Sequence, residues 1–228
     1  MTRNEQRSTE TAPPSGEAAS RNGNLSFFEN ASSNNVREGT SVDLGPGIGS
    51  VPADDLDRLV SIHGFLSTGA FIGLQMLFLG RRLLGVSPDK RIHVLCETFN
   101  CLPDPFQVLA GATVGNKGLI VRDTGKMAVT LTPHTPPGET ARGVRLILDP
   151  AKTEKFEKLH AWYLNTGKFS HEEIIPILKK AGETVYSYTR VDVPVFGKQK
   201  KQVTICPVCG EPYVNTDGGG RHCADCTD

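Results

Sequence analysis

The sequence lacks an apolar run long enough to cross a membrane. Its longest apolar stretch, residues 70–80, is about half the length that a membrane-spanning helix needs, and it contains Gln75. The first 50 residues also lack the basic start and apolar run of a secretory signal, and their glutamates fit poorly with an acid-poor transit peptide. We therefore expect a cytoplasmic protein that does not associate with membranes.

The sequence also lacks an excess of charge of either sign. It has 25 Lys and Arg residues and 25 Asp and Glu residues, which gives a formal net charge of zero. This balance provides no general electrostatic reason for binding nucleic acid. The local basic cluster is formed by Lys198, Lys200 and Lys201. If the protein binds nucleic acid, which is one alternative, this cluster would have to provide the positive charge.

Cysteine is scarce except at the C-terminus, where four of the six cysteines form two pairs. The pairs are Cys206-Pro-Val-Cys209 and Cys223-Ala-Asp-Cys226, with thirteen residues between them. They could form two disulfides, but thiols in a cytoplasmic protein stay reduced, and this spacing is typical of zinc ligands. We predict one structural zinc ion per chain. Four thiolates complete its tetrahedral shell, so the site stabilises a fold and leaves no position for substrate.

The composition divides the chain into four segments. Residues 1–50 are poor in apolar side chains and predict a disordered tail, because too little surface can be buried to offset the chain entropy. Residues 51–193 form the predicted core domain. A basic linker, residues 194–202, precedes the four-cysteine zinc finger of residues 203–228.

The core pattern predicts an α+β fold with a mixed or antiparallel sheet and packed helices. Ser67 or Thr68 can cap a helix over residues 70–84 that is apolar nearly all round and is therefore predicted to be central and buried. Strands and helices are interspersed without regular βαβ alternation. The predicted strands cover residues 91–98, 119–122, 127–132, 144–148 and 185–193. Four more helices are predicted. The first is capped by Asp54 or Asp55, and the second is a short helix that ends at Leu109. The other two cover residues 153–164 and 170–180, and Pro176 is predicted to kink or split the last one.

Four motifs, in this order and at this spacing, resemble the E-subunit family of formylmethanofuran dehydrogenase. They are His63-Gly-Phe-Leu-Ser-Thr-Gly before the apolar helix, Glu97 with Cys101-Leu-Pro-Asp104-Pro-Phe-Gln107, Gly111-Ala-Thr-Val-Gly115-Asn-Lys-Gly, and Asp123-Thr-Gly125-Lys126. The resemblance spans residues 54–228, because many members end in a treble-clef zinc finger. It implies an α+β core, a treble-clef or zinc-ribbon module, and a homodimer.

The chain departs from that family at several potential metal ligands. The first motif of the family commonly reads His-Gly-His with a cysteine two positions later, whereas this chain has Phe65 and Ser67. Ala112 stands where a cysteine is often found. Of this ligand cluster the chain retains His63 and Cys101. A second metal at these two residues would therefore lack one of the three protein ligands of a usual catalytic zinc.

Cys101 lies in a position that favours reactivity. Pro103 or Pro105 can begin a helix directly after it, which places the sulfur near unpaired N–H groups and the positive end of a helix dipole. Cysteines in such positions are commonly nucleophiles. With His63 nearby, as the resemblance implies, the pair would be a two-ligand metal site or a nucleophile and its base. A buried cysteine and a hydrogen-bonded histidine would explain the same residues.

Three further residues are candidate ligand contacts. Asp104 and Gln107 are three apart in the predicted helix, so they share a face and could hold a polar ligand or orient Cys101. Asp104 could also be an ordinary helix cap. Lys117 lies in a glycine-rich turn that could hold an anion or serve as a plain loop. We assign no role to His160 or His171, and we expect Cys96 to lie in the core.

The leading functional hypothesis is a metal- or small-ligand-binding protein similar to this E-subunit family. An accessory or stand-alone role is expected, because the chain has no further cysteine set for the iron–sulfur centres of the dehydrogenase chemistry, which other subunits carry. One alternative is a transferase or hydrolase that uses Cys101 and His63. Another is an interaction module whose zinc finger binds nucleic acid or a protein partner.

Overall fold

The structure, a computed structural model, describes residues 40–197, 201–215 and 222–226. Within these ranges the helices are α1 Ala53–His63, α2 Thr68–Leu84, α3 Asp104–Val108, α4 Pro150–Thr153, α5 Glu157–Tyr163 and α6 His171–Ala181. The strands are β1 Ser41–Asp43, β2 Ser50–Pro52, β3 Ile92–Cys96, β4 Leu119–Val121, β5 Ala128–Pro133, β6 Thr140–Leu148, β7 Tyr186–Pro194, β8 Gln202–Ile205 and β9 Pro212–Asn215. No helix in the described part of the chain is both long and apolar enough to span a membrane.

Five of the strands form one mixed sheet in the order β4-β3-β5-β6-β7. Strands β3 and β4 are parallel, with Val94 opposite Leu119, and the other neighbours are antiparallel. The parallel pair is joined through α3, whereas β5, β6 and β7 are long antiparallel strands. Strands β1 and β2, and separately β8 and β9, form two small antiparallel hairpins. The predicted α+β class and mixed sheet are confirmed.

Helix α2 is the centre of the core, as its all-round apolar sequence predicts. Its first turn is capped by Ser67, whose Oγ accepts a hydrogen bond from the Ala70 N–H at 3.1 Å. It ends at Gly85, which adopts the left-handed conformation (φ 66°) that favours glycine. Helix α2 is buried along nearly its whole length and packs against α3, α6, β5 and β6. The start of this helix is thereby held in a fixed position.

One fully buried polar side chain, Gln75, connects α2 to three other parts of the core. Its Nε2 donates to the carbonyl oxygens of Leu44 at 2.7 Å and Leu178 at 3.1 Å. Its Oε1 accepts from the hydroxyl of Tyr186 at 2.6 Å. Burial raises the pKa of Tyr186, so this hydroxyl stays protonated and able to donate. Every hydrogen-bonding group of the buried amide is therefore satisfied in a way that ties α2 to β7 and α6.

We expect Tyr186→Phe to lower the free energy of unfolding by about 1–3 kcal/mol, because the buried Gln75 Oε1 would lose the hydroxyl that donates to it. Chemical denaturation monitored by circular dichroism would measure the change. Tyr188→Phe is the matched control, because Tyr188 lies on the same strand with its side chain exposed, and it should change stability little. Equal losses in the two variants would contradict the role assigned to the buried amide.

The C-terminal bound of the predicted disordered tail, residue 50, is wrong because regular structure begins at residue 41. Residues 41–52 form the hairpin of β1 and β2, and Leu44 and Ile48, in the turn between the two strands, are buried. Glycines at positions 45, 47 and 49 adopt left-handed backbone conformations that allow the tight turn. The low apolar content of residues 1–50 as a whole predicts disorder, although a few of its apolar side chains are buried in this hairpin. The predicted disorder of residues 1–39, and the basic residues Lys198 and Lys200, lie outside the described residues.

The predicted helix over residues 153–164 is shorter in the structure, where α5 covers Glu157–Tyr163 and a separate short helix, α4, precedes it. Helix α4 ends at Thr153, whose carbonyl accepts from the Phe156 N–H at 2.8 Å, and α5 begins at Glu157. Of the two predicted effects of Pro176 on the last helix, a kink or a split, the split is wrong and the kink stays a prediction. Pro176 lies within the continuous helix α6, where the buried side chains of Ile174 and Leu178 hold the turns on either side. Packing compensates for the one backbone hydrogen bond that proline removes.

Candidate functional site

The candidate site lies where the end of α1, the start of α2 and the segment before α3 meet. Cys101 is in that segment and packs against the first turn of α2, where a Cβ added to Gly69 would lie only 3.3 Å from the Cys101 Cβ. Helix α1 ends at His63, after which Gly64 in the left-handed conformation (φ 93°) turns the chain toward α2. Cys101 itself is partly buried against the core.

His63 and Asp104 are directly hydrogen bonded. His63 Nδ1 lies 2.6 Å from Asp104 Oδ2, and their side chains are 16% and 23% exposed. An ionised carboxylate can only accept, so Nδ1 carries a proton, and in the neutral ring Nε2 then presents a lone pair. This is the arrangement that orients metal-binding and base-acting histidines. The expectation that Asp104 caps α3 is wrong: Pro103 is the cap residue, and α3 has no side-chain hydrogen bond at its cap.

Two aromatic side chains extend the site beyond His63. The Phe65 ring lies 5.0 Å from the His63 ring in an edge-on arrangement and 5.4 Å from the His171 ring in a stacked one. His171 is the first residue of α6, and its Nδ1 accepts a hydrogen bond from the Thr68 N–H at 3.2 Å. The sequence assigns no role to His171 because it lies 103 residues from its partner. The local sequence indicates only that His171 is the first residue of a helix, because Ser170 and Glu173 form a capping box around it.

His63 makes no hydrogen bond or ion pair with Gln107 or Lys117, all three of which the structure describes. Lys117 is exposed in the loop that follows α3, whereas Cys101 lies in the segment that precedes α3. The loop is held by Asn116, whose Oδ1 accepts from the Thr113 and Gly118 N–H groups. Gln107 is half-buried on α3. The ligand-binding roles of both residues stay predictions.

A partly buried ion pair joins Glu97, which follows β3, to Arg145 on β6. The Glu97 carboxylate accepts from Arg145 Nε at 2.6 Å and Nη2 at 2.9 Å, and this contact holds the pKa of Glu97 below its usual value. The Glu97 carbonyl also accepts from the N–H groups of Thr124 and Lys126, which fixes the turn after β4. Sequence reasoning placed Glu97 in a motif but missed Arg145, which lies 48 residues away on β6.

The two core cysteines have different environments. Cys96 is fully buried on β3, and its burial raises the pKa of its thiol to about 11. It therefore stays protonated near neutral pH and serves as a packing residue, as the sequence predicts. Cys101 is only partly buried and lies beside the start of α2. Any thiol chemistry of the core domain is accordingly assigned to Cys101.

The four C-terminal cysteines converge into a candidate metal centre. Their ligand atoms all lie within 4.8 Å of one another, and none of the six cysteines, all of which the structure describes, forms a disulfide. Gly210 (φ 74°) makes the turn after the first pair, where its N–H donates to the Cys206 carbonyl at 2.8 Å. The N–H groups of Cys209 and Cys223 lower the pKa of Cys206 to about 6.

The donor set of this centre fits zinc, because four converging thiolates match its preferred tetrahedral shell. Across residues 40–197, 201–215 and 222–226, it is the only group of three or more His, Cys, Asp or Glu side chains with converging ligand atoms. His63, Cys101 and Asp104 do not form a second such group. A metal at that place would therefore depend on a ligand from outside these side chains.

Comparisons with known proteins identify proteins to which this chain is similar. A curated protein of Archaeoglobus fulgidus, named "Probable S-adenosyl-L-methionine-binding protein", is 30% identical over 115 residues, which are 46% of this chain. The chain spans only 30% of the length of that relative.

A solved structure from Syntrophus aciditrophicus, of a protein similar to the E subunit (FmdE) of a tungsten formylmethanofuran dehydrogenase, matches with a TM-score of 0.61 and 28% identity. The match covers 76% of this chain and 90% of that one. The family model described as "FmdE, Molybdenum formylmethanofuran dehydrogenase operon" matches residues 62–193, which include α2, the mixed sheet and the His63–Asp104 pair. The chain therefore belongs to the FmdE family.

Proposed function

We propose that this protein binds a small ligand at its core site and one structural zinc ion at its C-terminal cysteines. The observation that carries the proposal is the 2.6 Å hydrogen bond between His63 and Asp104, beside the partly exposed Cys101. Asp104 orients the ring so that His63 Nε2 presents a lone pair to a ligand proton or to a metal. The arrangement suits binding and orientation of a ligand at the start of α2.

The zinc ion has a structural role in this proposal. Four thiolates leave no open coordination position, so the ion holds β8, β9 and the last cysteine pair together as a zinc finger of the treble-clef type. The core site would be the functional site. Any second metal there would be bound by His63 Nε2 and Cys101 together with a ligand that the small molecule or water supplies.

We place the protein in an accessory or stand-alone role in the cytoplasm, most simply as a homodimer. The one convergent cysteine group of the described residues is assigned to the structural zinc ion, so these residues hold no second cysteine set for the iron–sulfur centres of a dehydrogenase. The name of the Archaeoglobus fulgidus relative makes S-adenosyl-L-methionine one candidate ligand. A protein or nucleic-acid partner of the zinc finger is an alternative proposal, for which Lys201 beside β8 supplies an exposed positive charge.

Alkylation of Cys101 would test the core site. Peptide-resolved mass spectrometry would follow iodoacetamide labelling in the presence of Co²⁺ or S-adenosyl-L-methionine. We expect at least one of the two to slow labelling of Cys101, and Asp104→Asn to weaken that protection about tenfold because His63 loses its orienting carboxylate. Buried Cys96 is the internal control. Equal labelling with and without both probes would overturn the proposed ligand site.

A catalytic role for Cys101 and His63 is the second candidate function. It is favoured by the Asp104–His63 pair, which matches the orienting acid and base of a nucleophilic triad. In this case Cys101 would react with iodoacetamide faster than a free model thiol, and His63→Ala would remove the difference. A Cys101 that reacts more slowly than the model thiol in the native protein would contradict catalysis while leaving ligand binding intact.

A further inference from the structure

We propose that the core site recognises a flat nitrogen heterocycle that carries a hydrogen-bond donor next to an acceptor, as aminopurines do, and that His171 is one of the residues that bind it. The inference rests on the proposed ligand-binding function and specifies its ligand. It depends on three rings that the fold brings together from separate elements: His63 at the end of α1, Phe65 after it, and His171 at the start of α6.

The two histidines have opposite hydrogen-bonding capacities. His63 donates through Nδ1 to Asp104, so its Nε2 is an acceptor. His171 accepts through Nδ1 from the backbone N–H of Thr68, so its neutral ring carries the proton on Nε2 and can donate there. Thr68 is fully buried, so its N–H has no water to bind instead, and an Nδ1 that accepts from this N–H also accepts from the Thr68 hydroxyl, whose Oγ1 lies 2.9 Å away. The site therefore offers one acceptor and one donor.

Phe65 supplies the flat surface between these two groups. Its ring contacts both histidines, yet the residue is 51% exposed. Two more apolar side chains on the segments that form the site are also exposed, Ile62 next to His63 (70%) and Phe99 two residues before Cys101 (71%). Exposed aromatic and apolar side chains beside oriented polar groups are typical of ligand sites. A ligand ring stacked on Phe65 would cover surface that is otherwise left to water.

These features together select the class of ligand. A ring with a π-face can stack on Phe65, as bases stack on aromatic side chains in nucleic-acid-binding proteins. Its amino group would donate to His63 Nε2, and a neighbouring ring nitrogen would accept from His171 Nε2–H. Purely aliphatic ligands would lose the stacking, and heterocycles without an amino group would leave the His63 acceptor unpaired.

Binding of adenosine and of purine riboside, which lacks the amino group, would test the inference. Isothermal titration calorimetry on the zinc-loaded full chain should show adenosine binding about tenfold more tightly than purine riboside. Phe65→Leu should weaken adenosine binding at least about tenfold, whereas Phe65→Tyr should keep it within about threefold. His171→Asn should weaken both ligands alike, because Asn can still accept from the Thr68 N–H but does not reach the ligand.

The variants separate a ligand role from a structural one. Hydrogen exchange at the start of α2 should be unchanged in His171→Asn, and Leu164→Ala, an exposed apolar residue on the segment before α6, is a control that should keep adenosine affinity. Two outcomes would overturn the inference: equal affinity for the two nucleosides, or adenosine binding that survives Phe65→Leu. If Co²⁺ protects Cys101 from alkylation but adenosine neither binds nor protects, the ligand-binding function stands and the heterocycle assignment is wrong.

Discussion

We expect the double substitution Cys206→Ser and Cys209→Ser to lower the zinc content from the proposed one ion per chain to near zero and to unfold the hairpin of β8 and β9. The four sulfur atoms converge within 4.8 Å, so removing two ligands leaves too few for a closed tetrahedral site. Structural zinc contributes about 10–16 kcal/mol of apparent binding free energy in small zinc fingers, and this energy is what folds them. The short hairpin of β8 and β9 has no core of its own large enough to replace it.

Elemental analysis and hydrogen exchange would measure this effect. Amide protection should disappear in residues 201–215, which contain β8 and β9, while α2 and the mixed sheet keep their protection because their core is independent of the zinc. Cys101→Ser is the matched control: it removes one thiol from outside the cluster and should keep the zinc. Iron or molybdenum in the purified protein, or a double variant that retains zinc, would contradict the structural zinc assignment.

We expect Gly73→Ala to destabilise the core by about 1–3 kcal/mol and to disturb the candidate site. Gly73 lies on α2 at its closest approach to the segment that carries the site. A Cβ at this position would overlap the carbonyl oxygen of Leu102 and lie 3.2 Å from the ring carbons of Pro105. Both neighbours are rigid, because one is backbone and the other is a proline in the first turn of α3. The strain must therefore displace the segment that positions Cys101 and Asp104.

Two measurements would distinguish this displacement from a simple loss of stability. Chemical denaturation should show the lower free energy of unfolding, and the labelling rate of Cys101 should change under conditions where the variant is fully folded. Gly115→Ala is the matched control, since a Cβ there has space and its backbone does not need glycine. Wild-type stability together with a wild-type labelling rate for Gly73→Ala would show that α2 and α3 do not fix the site.

The sequence predicted those features that depend on local pattern. The apolar helix α2, its Ser67 cap and the cysteine pairs follow from spacing over a few residues, and the structure places all of them as expected. The hairpin at residues 41–52 was missed, because only a few apolar residues in a polar, glycine-rich segment are buried there. A few apolar residues do not predict a hairpin when the surrounding composition predicts disorder.

The partners of the site residues could not be predicted in the same way. Asp104 was predicted to hold a polar ligand, to orient Cys101 or to cap its own helix, yet its partner in the structure is His63, which lies 41 residues earlier in the chain. His171 and Arg145 make contacts across 103 and 48 residues, and no periodicity or spacing rule reports such distances. The resemblance to a family implied that His63 and Cys101 lie close together, but only the fold shows which side chains surround them.

The hydrogen bond from Thr68 to His171 has a consequence for the order of events during folding. We expect contacts between residues this far apart to form late, because the chain entropy of closing a long loop must be overcome before the contact contributes. The buried Gln75–Tyr186 bond, which spans 111 residues, has the same property. A chain in which α6 and β7 have not yet docked on α2 would present His63 and Asp104 without the ring of His171. The ability to bind ligand would thus be acquired in the last stage of folding, and the ligand would stabilise only the completed structure.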